Sequence, residues 1–137
     1  MRTRILAALA VALLAGTLVA RAQVTITPYD FTGHWTGSAT GGKGQVTPLA
    51  ADFVAGSLPR TFTGTVTLTV QGTEVQCALT GKQKRHDRVK ARLAPCAIGI
   101  TLLHGKLDPT LGTITGHYLN VRHGKVHTGP FMLTKEA

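Results

Sequence analysis

Histidine and serine are the residues of this chain that could carry proton or acyl transfer, and the histidines could also hold a metal ion. His123 and His127 are four residues apart, but they belong to a predicted hairpin and not to one face of a helix. His117 falls on the opposite strand face from His127, and Ser38 and Ser57 lack the context of a nucleophile elbow. With 6 Asp+Glu in 137 residues, carboxylates for acid–base chemistry are also scarce. We predict no metal, no cofactor and no enzymatic activity.

The densest charge lies in one short stretch, where Asp87 is the single acidic residue. Its basic residues are Lys82, Lys84, Arg85, Arg88, Lys90 and Arg92. One interpretation is a solvated basic loop, and the other is a loop that contacts an acidic protein or a polyanionic surface. No aromatic side chain for stacking on bases occurs between Gly81 and Pro95, so we do not predict a nucleic-acid partner.

Cys77 and Cys96 are the two cysteines of the chain, and they do not form a Cys-x-x-Cys pair. In an exported protein an even number of cysteines indicates a structural disulfide. Closing a loop of about 20 residues stabilises a fold by about 3 kcal/mol in the chain-entropy model. We therefore predict a Cys77–Cys96 disulfide.

Residues 1–22 have the three parts of a secretory signal peptide: Arg2 and Arg4, an apolar run, and the site Ala20-Arg21-Ala22. The apolar run of 16 residues is shorter than the roughly 20 that a membrane span needs. We expect cleavage after Ala22, no transmembrane span in the mature chain, and a periplasmic or extracellular location.

Cleavage would leave 115 residues with 12 Lys+Arg and 6 Asp+Glu, a formal charge of +6 in place of +9. That length is typical of one domain. We expect residues 23–30, with Pro28, to be an N-terminal lead-in and residues 31–137 to form a single β-domain.

Apolar and polar residues alternate with a period of two, which indicates half-buried strands. The pattern is clearest at Thr61–Val70, where threonines alternate with apolar residues and glycine. Further strands are predicted at 31–40, 73–80, 88–94, 97–104, 113–122 and 125–134. Residues 45–60 contain two prolines and predict either an interrupted strand or a short helix, and residues 105–109 predict a turn.

Eight short strands joined in sequence favour an antiparallel up-and-down barrel, with a β-sandwich as the alternative. In the barrel, four hairpin turns meet at one end. These are 41–44, 71–72, Ala94-Pro95 and His123-Gly124.

Residues 30–37, Asp-Phe-Thr-Gly-His-Trp-Thr-Gly, place Gly33-x-Trp35 on the first strand. This motif resembles the opening of the calycin barrels, which include lipocalins, fatty-acid-binding proteins, avidins and bacterial periplasmic metalloprotease inhibitors. The resemblance implies an eight-stranded barrel whose tryptophan points inward, so Phe31 and Trp35 are expected to form the barrel floor. It covers about ten residues and does not extend to the other motifs of these families, so it implies an architecture and no ligand.

The two-residue turn His123-Gly124 fixes the register of the last two strands, because opposed residues share a face. One face then holds Ile114, Tyr118, Asn120, Arg122, His127, Phe131 and Leu133. The other face holds Leu119, Val121, Val126 and Met132 and is also apolar enough to point inward. If the first face points inward, Tyr118, Asn120, Arg122 and His127 line the polar mouth of a cavity.

Two functions are compatible with these patterns. The first is an exported barrel that binds a small apolar or anionic ligand in its cavity through Tyr118, Asn120, Arg122 and His127. The alternative is an exported interaction or inhibitor module that acts through the basic loop at 82–92.

Overall fold

The structure, a computed structural model, describes residues 26–137. Its strands are β1 (Gly33–Thr40), β2 (Val46–Ala55), β3 (Thr61–Val70), β4 (Thr73–Gln83), β5 (Arg88–Cys96), β6 (Gly99–Asp108), β7 (Thr113–Arg122) and β8 (Lys125–Lys135). Each strand pairs with the next along the chain, and β8 pairs antiparallel with β1, so the sheet closes into an eight-stranded barrel. The predicted up-and-down barrel is confirmed, and the sandwich alternative is excluded. The predicted signal peptide lies outside the described residues.

A short 3-10 turn, Arg85–Asp87, connects β4 to β5. Within residues 26–137, no helix has the length and apolar character needed to cross a membrane.

Period-two alternation accounts for the strands. In β3, Phe62, Val66 and Leu68 are buried inside the barrel, whereas Thr63 and Thr69 are exposed on its outer surface. β-Branched threonine suits a pleated, half-solvated surface. The same pattern forms strand β2 at Val46–Ala55 in spite of Pro48, so residues 45–60 contain a strand and not a helix.

Two turns lie at other residues than those predicted from the sequence. The predicted turn at residues 105–109 is wrong, because β6 continues to Asp108 so that Leu107 can enter the core. The chain reverses after Asp108, whose carboxylate accepts hydrogen bonds from the backbone N–H groups of Thr110 (3.0 Å) and Leu111 (3.1 Å).

The turn predicted at Ala94-Pro95 is also wrong, because β5 extends to Cys96 and the reversal occurs at residues 97–98. Cys96 pairs with Gly99 across this turn. Gly99 has a φ of 89°, a backbone conformation that glycine adopts more easily than other residues.

Two tight hairpins fix the register at the mouth end of the barrel. Gln71 and Gly72 have φ of 51° and 77°, and His123 and Gly124 have φ of 52° and 71°. Positive φ at both central residues is the mark of a type I′ turn, whose twist matches that of the flanking strands. The β7–β8 register that results is the predicted one, with Asn120 opposite His127.

Aromatic residues fill the opposite, closed end of the barrel. Trp35 is fully buried and donates a hydrogen bond from its indole N–H to the Phe31 carbonyl (2.9 Å). The Phe31 ring stacks on Phe62 at a centroid distance of 4.2 Å, and Phe53 lies 5.0 Å from Phe62. Phe31 and Trp35 therefore lie at the end where the floor is expected.

The end of the lead-in crosses this closed end without regular structure. The buried Gln83 side chain holds it: its amide oxygen accepts from the Tyr29 N–H (2.9 Å), and its amide nitrogen donates to the Thr27 carbonyl (3.0 Å). The Tyr29 ring packs edge-on against Phe31 at 5.0 Å. The segment thus covers the aromatic core.

The pairing between β4 and β5 covers only part of the two strands. These strands are paired between Leu79–Gln83 and Val89–Leu93, and nearer the mouth their ladder stops. There the Cys77–Cys96 disulfide joins the two strands, with a Cα–Cα distance of 5.7 Å. The predicted disulfide is confirmed.

Candidate functional site

A cavity of about 450 Å³ occupies the half of the interior nearest the mouth. Its apolar wall includes Leu49, Val66, Leu68, Leu93, Leu103 and Leu133, which come from five of the strands. Gly41, Gly42 and Gln71, from the β1–β2 and β3–β4 turns, lie at its rim. Cavities that bind small molecules have volumes of roughly 300–1,000 Å³ and mostly apolar walls. The site has the size and lining of a small-molecule cavity.

The cavity ends where the core begins. Below Val66 and Leu133, packing among Phe53, Phe62 and Leu79 leaves a void of only about 10 Å³. The interior of the barrel is therefore packed at its closed end and forms a cavity at its mouth.

The structure brings the four candidate ligand-binding residues together. Tyr118, Asn120, Arg122 and His127 all belong to the cavity lining. Tyr118 and Asn120 are half-buried, whereas Arg122 and His127 are exposed at the mouth. Their face of β7 and β8 points inward because Ile114, Phe131 and Leu133 of that face are buried, and Leu119, Val126 and Met132 of the other face are exposed. That they bind a ligand stays a prediction.

The Asn120 side chain is fixed by its neighbours on β6 and the preceding turn. Its amide nitrogen donates to the Ile98 carbonyl (2.8 Å) and to the Thr101 hydroxyl (2.9 Å). Since a carbonyl can only accept, these contacts define which end of the amide is nitrogen. Within residues 26–137, Asn120 Oδ1 contacts no donor, which leaves one acceptor on a rigid side chain at the cavity wall.

Tyr118 spans the mouth between β7 and β1. Its hydroxyl donates to the Thr40 carbonyl at 3.1 Å. Its ring packs over Gly129, its partner on β8, where an added Cβ would lie 2.9 Å from the hydroxyl oxygen. A glycine at position 129 therefore makes room for the Tyr118 ring.

Basic side chains dominate the charge of the mouth. In the described part of the chain, the cavity lining includes Arg122 and His127 and no carboxylate. The mouth therefore favours a negative charge over a positive one.

Much of the cavity wall and two of its polar residues could not be predicted from the sequence. Thr101, Gln45 and the leucine wall were not singled out. Alternation places such residues on the inward face of a strand, but it does not show that the space in front of them is empty.

The basic stretch is not one loop, so that prediction is wrong. Lys82 lies on β4, and Arg88, Lys90 and Arg92 lie on β5, which leaves Lys84 and Arg85 in the connection. The strands extend further because Gln83 and Val89 have buried positions to fill at the closed end.

Residues 26–137 contain no group of three His, Cys, Asp or Glu residues arranged to hold a metal ion. The absence of a metal and of catalysis stays a prediction.

Comparison with known proteins bears on the fold alone. No protein-family model matches the chain, and no curated protein does. A solved structure, EF1p2_mFAP2b bound to DFHBI, is similar with a TM-score of 0.66 at 13% sequence identity. The match covers 77% of this chain and 93% of that chain. At this identity the similarity shows a common fold, an antiparallel β-barrel.

Proposed function

We propose that this protein binds a small molecule in its barrel cavity, with an apolar body inside and an anionic or polar end at the mouth. The observation that carries the proposal is the cavity of about 450 Å³ with a leucine-rich wall and a basic mouth. A solved barrel of similar fold is bound to DFHBI, which supports ligand binding in a barrel of this kind.

The apolar wall and the basic residues at the mouth would together orient the ligand. Leu68, Leu93 and Leu103 would contact an apolar body, since burying apolar surface contributes roughly 25 cal/mol per Å². Arg122 and His127 would face an anionic group, and Asn120 Oδ1 would accept a hydrogen bond from a hydroxyl or N–H of the ligand.

We also propose that the barrel is of the calycin type and that the protein is exported. A calycin-type barrel is supported by Gly33-x-Trp35 together with the inward, buried Trp35. Export is supported by the signal pattern of residues 1–22 and by the disulfide. Mass spectrometry of the protein secreted on expression of the full chain tests this, because the expected product begins at Gln23.

Leu68 provides a test of the cavity. We expect the protein to bind the apolar sulfonated dye anilinonaphthalene sulfonate saturably, with a rise in dye fluorescence. Leu68→Trp should weaken binding by roughly tenfold or more, because the larger ring fills the cavity.

Thr69→Trp is the matched control, because Thr69 is the next residue of β3 and is exposed on the outer wall. Melting temperatures of both variants establish that they are folded. Dye uptake that does not saturate, or an equal loss in both variants, would contradict binding in the cavity.

A further inference from the structure

Basic side chains form a continuous surface on the outside of the barrel, away from the mouth. Lys82 pairs with Lys90, and Lys90 pairs with His104, so these residues lie side by side on β4, β5 and β6. One row nearer the closed end, Arg88 pairs with Lys106. We call this surface the outer basic face; its residues, all exposed, are Lys82, Arg88, Lys90, Arg92, His104 and Lys106.

Within residues 26–137, no carboxylate lies within ion-pair distance of the outer basic face. The carboxylates nearest along the chain are engaged elsewhere: Asp87 accepts from the Gln83 amide (3.3 Å), and Asp108 accepts from two backbone N–H groups of the following turn. Like charges directly opposite on neighbouring strands destabilise a sheet. An anion bound across them would relieve that repulsion.

The outer basic face contains a groove of about 320 Å³. Its polar lining consists of Lys84, Arg88, Lys90, His104, Lys106 and the Thr115 hydroxyl. The groove is thus lined by side-chain N–H donors and one hydroxyl group. Its described lining residues include no acidic group.

The side chains of the face indicate what kind of polyanion fits. All seven Phe, Trp and Tyr residues of the chain lie in the interior or against the closed end, so none of these rings can stack on a nucleobase or a sugar ring from this surface, and the groove offers the smaller His104 imidazole in their place. Among the groove-lining residues that the structure describes, no side-chain amide or carboxylate is available to bind sugar hydroxyls. Recognition that rests mainly on charge suits a chain whose repeating units are themselves anionic groups.

The distances between the basic residues of the outer basic face also require a ligand that carries several anionic groups. Neighbouring strands lie about 4.8 Å apart, and alternate residues of one strand about 6.8 Å apart. The row Lys82, Lys90, His104 therefore spans about 10 Å across three strands, and the Arg88–Lys106 pair adds a second row. A single phosphate cannot contact all of these side chains, whereas a polymer can.

From these observations we infer that the outer basic face binds linear polyphosphate. The phosphate chain follows the groove, and its oxygens accept hydrogen bonds from the lysine and arginine side chains. This site is separate from the cavity, and its occupancy does not depend on a cavity ligand.

Titration with sodium polyphosphate, followed by calorimetry, tests the inference. Lys90→Gln/Lys106→Gln should weaken binding by roughly tenfold and reduce the slope of log K against log salt by about 1 to 2, because two phosphate contacts are lost. Lys43→Gln/Lys125→Gln is the matched control: it removes the same charge from exposed lysines outside the face, and its affinity should stay within about twofold of the original.

Three results would overturn the inference. An equal loss in both double variants means attraction by net charge alone. Displacement of polyphosphate by orthophosphate at the same total phosphate means a site for one anion. Tighter binding of heparin, of an oligothymidylate or of anionic vesicles than of polyphosphate means a different class of partner.

Discussion

Two basic residues lie opposite each other at the mouth of the barrel, and only one of them lines the cavity. Arg122 and Lys125 are cross-strand partners beside the His123-Gly124 turn, and Arg122 lines the cavity whereas Lys125 does not. This difference separates the effect of a local contact from the effect of overall charge.

Arg122→Gln should selectively weaken the binding of an anionic ligand. We expect the affinity for decanoate to fall roughly fivefold, since an exposed ion pair contributes about 1 kcal/mol or less, and the affinity for decanol to stay unchanged. Lys125→Gln should leave both affinities unchanged in the same calorimetric titrations. A fall in decanol affinity would indicate that Arg122 acts through packing.

A histidine on the outer surface links pH to stability. His34 Nδ1 lies 2.7 Å from a carboxylate oxygen of Asp52, and His34 Nε2 lies 3.9 Å from Glu136. The hydrogen bond to Asp52, assisted by the two negative charges, raises the pKa of His34 above its ordinary value of 6.5. A pKa that is higher in the folded state than in the unfolded state means that protonation stabilises the fold.

His34→Gln should therefore cost stability in mildly acidic solution and cost less in alkaline solution. The contribution of His34 is fully present below its unfolded pKa and is lost as the pH rises through its folded pKa. Urea unfolding of both proteins at about pH 5.5 and pH 8.5 measures the difference. A difference that grows with pH would contradict the assignment.

Alternation of polar and apolar residues was sufficient to predict a strand wherever every second residue of that strand faces solvent. β3 has the predicted bounds because alternation marks the strand, and the β7–β8 hairpin has the predicted register because its two-residue turn allows one pairing. The end of β6 was missed because Gly105, Asp108 and Pro109 resemble a turn, whereas burial of Leu107 outweighs that local preference. The sequence did not decide which face of β7 and β8 points inward, because Leu119 and Val126, which the structure exposes, are as apolar as the core residues.

Two glycines in the mouth turns differ in backbone conformation and offer a controlled comparison. Gly124 has a φ of 71°, whereas Gly42 is not in the left-handed region, and a Cβ added at either would meet no atom within 4 Å. We expect Gly124→Ala to reduce the free energy of unfolding by about 1 kcal/mol and Gly42→Ala to leave it unchanged or slightly raised. Equal effects in urea unfolding would show that the turn conformation is not the cause.

On the scale of the whole molecule, the sequence predicts a barrel but not how its interior is divided. Whether space remains inside depends on the summed volumes of inward side chains from eight strands, and a single strand does not reveal that sum. Large rings at Phe53 and Phe62 fill the closed end, whereas small side chains such as Ala39 and Thr101 line the cavity near the mouth.

The disulfide should contribute a large share of the stability of so small a barrel. Cys77 and Cys96 are 19 residues apart, and replacing both by alanine is expected to reduce the free energy of unfolding by about 3 kcal/mol. Urea unfolding of the double variant measures this, with intact secondary structure in circular dichroism as the control. A loss below about 1 kcal/mol would mean that the strands hold together without the bond.

A closed barrel has no free strand edge, but the wall between β4 and β5 comes close to having one. Near the mouth, residues 73–78 pair with β3 and are not part of the ladder with β5. Exposed edges of this kind can recruit a strand from a second molecule and begin aggregation. Pro95 on the facing strand lacks an N–H to offer, and the Cys77–Cys96 bond closes the gap. The two cysteines thus protect the protein from intermolecular strand pairing as well as from unfolding.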